Sequence, residues 1–142
     1  MNRQQFLEYT DHFNHKRWDK VTSYFCPDVT LEYPDNFMGP QLPGAGNTLH
    51  GPREFIANYE ALTANVREVL NVGAFISRGR QFCVELITEF HVFQEPASGP
   101  MPNGWKKGDN HILNQIVLYD LDEKGKFKRI RIFHHRHLDK LP

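Results

Sequence analysis

From residue 66 to residue 138 the apolar residues recur at every second position, and this period-two pattern constrains the chain more than any other feature. "EVLNVGAFISRGRQFCVELITEFHVF" reads as two strands around a turn at "SRGR". In the second strand Phe82, Val84, Leu86, Thr88, Phe90 and Val92 face one way, and Cys83, Glu85, Ile87, Glu89 and His91 face the other. A Pro/Gly loop, "QEPASGPMPNGWKKGD", leads into a third strand, "NHILNQIVLYDL". The tight turn "DEKGK" then gives the last strand, within "KFKRIRIFHHRHLD". Consecutive long strands joined in this way form an antiparallel meander. One face of such a sheet must be covered, and only the N-terminal residues are available to cover it.

Those residues carry a different period. Phe6, Tyr9, Phe13, Val21, Tyr24 and Phe25 fall close to a helical stripe over residues 3–25, and "HKRWD" breaks it into two helices at a corner anchored by Trp18. Pro27 cannot continue a helix, so Cys26-Pro27-Asp28 stops the second piece. "DVTLEY" alternates, with Val29, Leu31 and Tyr33 on one face, and reads as a half-buried strand. Residues 34–52 hold four prolines and four glycines and read as an irregular loop. Pro52 opens a third helix that puts Phe55, Tyr59 and Leu62 on one side. The expected architecture is α+β, one domain over residues 1–142. N-terminal helices pack on a curved, mainly antiparallel sheet and leave a conical pocket open at one end.

Charge excludes several functions. Lys plus Arg and Asp plus Glu stand at seventeen each, so no net field draws the chain to nucleic acid or an anionic membrane. The basic last strand alternates with apolar residues and makes no continuous nucleic-acid groove. Cys26 and Cys83 are too few for a disulfide scaffold and have no partners at metal-ligand spacing. The first residues, "MNRQQFLEYT", are interrupted by polar side chains and do not resemble a signal peptide, and no run approaches the roughly 18 apolar residues of a membrane span. A cytoplasmic location is expected. No phosphate-cradling loop, Cys-x-x-Cys pair or Gly-x-Ser-x-Gly elbow is present. The one compositional excess is aromatic, with eleven Phe, five Tyr and two Trp, the material of cores and of apolar ligand pockets.

Three segments, "FNHKRWDKVTSYFCPDVTLEYP", "LHGPREFIANY" and "DEKGKFKRIRIFHHRHLD", resemble the SnoaL-like, nuclear-transport-factor-2-like superfamily over nearly the whole chain. The resemblance implies a cone-shaped fold with a pocket between helices and sheet, used by isomerases, dehydratases, cyclases and epoxide hydrolases, and also by members without catalysis. "PNGWKKGDNHILNQIVLYDLDEKGKFKR" is similar, more weakly, to phenazine-biosynthesis members. Where those carry an acid on the last strand this chain has Ile132, and where they carry a histidine on the third helix it has Asn58. Their acid–base chemistry therefore does not transfer directly.

Strict alternation on the last strand puts Ile130, Ile132, His134, Arg136 and Leu138 on the buried face and Arg131, Phe133, His135 and His137 on the other. His134 could then shuttle a proton and Arg136 hold an oxyanion, unless both are simply solvated where the strand leaves the core. His111 opens the adjacent strand and is expected to converge with them, with Gln115 deeper on the same face. Tyr33 is placed to donate to a carbonyl. Asp35 is a possible base if buried and a turn residue otherwise. Asn58, Tyr59 and Phe90 are expected in the pocket wall. Phe37 and Trp105, on the two Pro/Gly loops, either form a lid over an apolar ligand or pack those loops onto the domain.

The expected activity is cofactor-independent acid–base chemistry, as an isomerase, cyclase or dehydratase, on a small apolar carbonyl metabolite. His134 or His111 would move the proton, while Tyr33 and Arg136 stabilise the oxyanion. A non-catalytic binding module for the same kind of ligand is the alternative. A metal-dependent enzyme using His135 and His137 with His91, Glu89 or His111 comes third, although no metal is expected. A homodimer through the outer sheet face around Ile87, Glu85 and Glu89 is also expected.

Overall fold

The computed structural model describes residues 1–35, 39–97, 101 and 104–142. Helix α1 (Arg3–Asn14) starts in a capping box, with Asn2 Oδ1 accepting from the Gln5 N–H and Gln5 Oε1 accepting from the Asn2 N–H, each at 2.9 Å. Its spacing buries Phe6, Tyr9, Thr10 and Phe13 on one face. The corner after it turns through Lys16, whose φ of 56° is left-handed, and leads into the short α2 (Trp18–Thr22). As expected, Trp18 anchors this corner, edge-on to Phe13 at 5.2 Å and 5.8 Å from Tyr59.

Strand β1 (Phe25–Glu32) begins before Pro27, so α2 ends earlier than the proline requires. Pro27 and Asp28 are tolerated inside the strand because pairing with β6 is interrupted between Phe25 and Thr30, where both residues are exposed. The Pro/Gly-rich stretch that follows is not wholly irregular. It contains β2 (Thr48–His50), antiparallel to the end of β1. Helix α3 (Gly51–Thr63) has Pro52 in its first turn and buries Phe55, Asn58, Tyr59, Leu62 and Thr63. Gly51 opens it at a φ of 77°, a conformation that a side chain would strain.

The period-two region forms β3 (Val66–Arg78), β4 (Gln81–Val92), β5 (Asn110–Leu121) and β6 (Phe127–Leu138). They pair antiparallel in sequence, β1 adds parallel to β6, and the sheet order is β2-β1-β6-β5-β4-β3. The sheet curls around the helices without closing. Its β3 edge is covered by α1: the Asn14 side chain donates to Leu70 O at 3.0 Å and accepts from Leu70 N–H at 2.8 Å, and Arg3 donates to Val72 O at 3.1 Å. Satisfying an edge strand in this way removes a template for aggregation.

Inside the curl, aromatic rings fill the end marked by the β3–β4 and β5–β6 turns. Phe82 stacks on Tyr119 at 4.4 Å, and Phe6 meets both edge-on at 5.4 Å. Phe127 lies 5.0 Å from Tyr119. Among the described residues, no helix is long and apolar enough to cross a membrane.

Candidate active site

A cavity, partly open to solvent, lies between α1, α3, β1 and the concave face of the sheet. Phe13, Leu31, Phe55, Leu86, Val117 and Ile132 supply much of its apolar wall. Period-two placement brings polar groups to the same face: Glu68 on β3, Gln115 on β5 and Tyr33 just past β1. Helix α3 adds Asn58 and Tyr59, one turn beyond Phe55. Tyr33, Asn58, Tyr59, Gln115 and Phe90 were all expected in or near a pocket, and all five line this one.

Glu68 was not among the expected residues. It is in phase with buried Val66 and Leu70, so its side chain must enter the curl with theirs. The residue keeps some surface toward the cavity, but Oε2 has none and meets no hydrogen-bond partner among the described residues. Removing a carboxyl from water disfavours its charged form, and burial pushes Glu68 up to about 8. It is the one carboxyl lining the cavity among the described residues. The signal that could have revealed it is an acid in register with core residues on a strand whose other face was already free for polar side chains.

The hydroxyls around it are donors. Tyr33 and Tyr59 are hydrogen-bonded to each other at 3.1 Å, and burial holds both phenols far above their usual range. Burial raises Tyr9 and Tyr119, which also line the cavity, in the same way. Glu68 is close enough for its charge to add to the upward shift at Tyr9, Tyr33 and Tyr59. The Asn58 and Gln115 amides are each fixed through their oxygen. Asn58 Oδ1 accepts from the Gln41 backbone N–H at 2.5 Å, and Gln115 Oε1 accepts from the Thr88 hydroxyl at 2.8 Å.

The histidines occupy another place. A β-bulge in β6 leaves His135 without an opposite residue: Gln115 pairs with His134, but Asn114 pairs with Arg136 and Leu113 with His137. Alternation is reversed beyond that point. Arg136 is on the outer face, exposed and in the field of Glu85, and does not follow the isoleucines inward. His137 takes its place on the concave side, 5.3 Å from the His134 ring and 6.2 Å from His111. Partial burial and the neighbouring His134 and His111 hold its imidazole below the ordinary value. His135 and His137 therefore do not share a face. His134 and His111 each lie against His137 at one end of the sheet, but neither lines the cavity. Among the described residues, no group of three or more His, Cys, Asp or Glu side chains is arranged to hold a metal ion.

Asp35 is exposed rather than buried, and its carboxylate accepts from the His134 backbone N–H at 2.6 Å, tying the chain after β1 to β6. Trp105 is not an exposed lid. It is 4% exposed, stacked on His111 at 4.1 Å and tilted against Phe90 at 5.2 Å, so it packs its loop onto the sheet. Phe37 lies outside the described residues.

Helices followed by a six-stranded, curled and unclosed sheet, with a cavity against its concave face, define the nuclear-transport-factor-2-like fold. Solved structures with this fold include an NTF2-like protein of unknown function from Burkholderia pseudomallei, 19% identical with a TM-score of 0.70 over 93% of this chain and 88% of that one. A candidate polyketide cyclase from Xanthomonas campestris is 16% identical, with a TM-score of 0.70 over 89% and 84%. The epoxide hydrolase/cyclase-like enzyme SalBIII, with a role in pyran ring formation in the polyether salinomycin, is 20% identical, with a TM-score of 0.64 over 95% of each chain. No protein-family model and no curated protein sequence matches the chain.

Proposed function

We propose that the chain catalyses proton transfer beside a carbonyl of a small, largely apolar metabolite, the step common to isomerisation, cyclisation and dehydration, with Glu68 carrying the proton. The observation that carries this reading is a cavity-lining carboxyl whose Oε2 is removed from water, in a wall shared with two hydrogen-bonded tyrosines; burial pushes it up to about 8. A base poised near the working pH combines a usable ionised fraction with real basicity. Glu68 as carboxylate takes a proton from the carbon next to the carbonyl. The oxygen that gains charge accepts a hydrogen bond from Tyr33 or Tyr59, whose hydroxyls burial keeps protonated. Apolar walls exclude water, and Glu68 returns the proton to a different carbon. Glu68 thus takes the role expected of His134 or His111, and the tyrosine pair takes that of Arg136. A fold shared with a candidate polyketide cyclase and with SalBIII supports chemistry of this kind.

A minimal test is the conversion of cyclohex-3-enone to cyclohex-2-enone, followed by the growth of conjugated-enone absorbance. Glu68 would remove a proton from C2, giving the dienolate, and deliver it to C4. The kcat/KM should rise with pH and level off above about 8, and Glu68→Gln should lower it by about 100-fold or more. Full turnover in Glu68→Gln would refute the assignment. Binding of the enone with no turnover in the native protein would favour the non-catalytic binding module.

A further inference from the structure

The proposed function leaves open what kind of carbonyl compound the cavity takes, and the orientation of its polar groups bears on that. Three side-chain amides line the cavity: Gln41 Nε2 donates to Gly39 O, and the other two have their oxygens engaged, Asn58 by the Gln41 backbone and Gln115 by Thr88. Neither of those two amide nitrogens meets a hydrogen-bond partner among the described residues, so the NH₂ is what each can offer a ligand. Asn58 stands on α3 beside the Tyr33–Tyr59 pair, whereas Gln115 projects from the sheet opposite the helix. Donors therefore approach from two walls. No Lys, Arg or His lines the cavity among the described residues, and its one carboxyl is held mostly protonated at neutral pH by burial.

We infer that the cavity selects an uncharged ligand with oxygen acceptors at two opposite edges, of the dicarbonyl or carbonyl–ether kind, and rejects a carboxylate of the same shape. Each acceptor finds an NH₂ that otherwise has no partner among the described residues, or the one O–H that the tyrosine pair does not use within itself. An anion would lose its hydration with no cation to receive it, and would raise the cost of ionising Glu68 further. Rejection of anions also keeps Glu68 free to titrate. This ligand class rests on the proton-transfer reading only in assigning both to the same cavity.

Three related probes separate the possibilities: 1,4-diacetylbenzene with two neutral acceptors, the smaller acetophenone with one, and 4-acetylbenzoate, isosteric with the first, with a carboxylate in place of the second acetyl group. Calorimetric titration near neutral pH should rank 1,4-diacetylbenzene at least about tenfold above each of the others, the worth of one hydrogen bond in a dry site. Gln115→Met should cost 1,4-diacetylbenzene about tenfold and leave acetophenone within about twofold. Asn58→Ala, on the other wall, is the second variant and should act in the same sense should Gln115→Met fail to fold. Equal binding of 4-acetylbenzoate, or an unchanged preference in both variants, would overturn the inference. Glu68→Gln should keep the probe ranking while losing isomerisation. A kept ranking with undiminished isomerisation supports the ligand class and sinks only the role of Glu68. A lost ranking with Glu68-dependent isomerisation sinks only the ligand class.

Discussion

Replacing Glu68 by glutamine should make the protein more stable, and by an amount that depends on pH. In the unfolded chain the carboxyl titrates near its ordinary value of 4.5, and in the fold burial moves it to about 8. The folded state therefore binds the Glu68 proton more tightly, and stability falls as pH rises between those two values. The loss is absent below about 4.5, grows by about 1.4 kcal/mol for each pH unit, and is complete above about 8. It amounts to about 1 kcal/mol near pH 5, about 3 near pH 7 and about 5 near pH 9.5. Glutamine has nearly the same shape and no ionisation, so Glu68→Gln escapes the penalty, while every other titrating group cancels between the two proteins. Urea unfolding of both proteins across this pH range gives the difference directly. A gap that widens by about 4 kcal/mol from the acid to the alkaline end is expected. A gap constant to within about 0.5 kcal/mol would mean that Glu68 ionises as it would in water, and would remove the basis for its catalytic role.

Tyr33→Phe removes one hydroxyl of the buried pair and leaves that of Tyr59 unpartnered. Enone isomerisation should fall by about 100-fold in kcat with a smaller change in KM, the pattern for a donor that acts on developing charge; an unchanged kcat would refute it. The outer sheet face is proposed as a homodimer interface. Among the described residues no helix covers it, Asn114 is 4% exposed there with Oδ1 unpaired, and half-buried Ile112, Ile116 and Phe133 share that face. Sedimentation should give twice 16.6 kDa for the native protein and one unit for Ile116→Asp, and a monomeric native protein would refute the interface.

Where apolar residues set the phase, the chain could be read directly. In β4 six inward positions, Phe82 to Val92, alternate without interruption, and the structure pairs them register by register with β3 and β5 apart from the bulge near Gly73. The end of β6 could not be read so. "HHRH" contains no apolar residue to mark which side is inside, so alternation carried forward from Ile130 and Ile132 missed the extra residue at His135. For Asp35 the sequence left a buried base and a turn residue both open, because burial there depends on a loop path that local pattern does not specify; it is exposed, in a turn. The site itself was half legible. Tyr33, Asn58, Tyr59 and Gln115 follow from position on recognisable elements, whereas Glu68 appeared as one more polar residue on an edge strand. Its importance comes from tertiary enclosure, which desolvates a carboxyl that the sequence alone shows next to Arg67.

The bulge at His135 gives the end of β6 something like a movable reading frame. Closing the bulge with His135 kept in the ladder would shift the phase, turning Arg136 toward the concave side and His137 toward the outer one. A guanidinium would then stand beyond Ile132, where two imidazoles now meet, and a region without fixed positive charge would acquire one. No codon for any residue near the cavity need change. Single-residue slips of this kind offer a route by which the charge near a cavity of this fold changes while its walls stay intact.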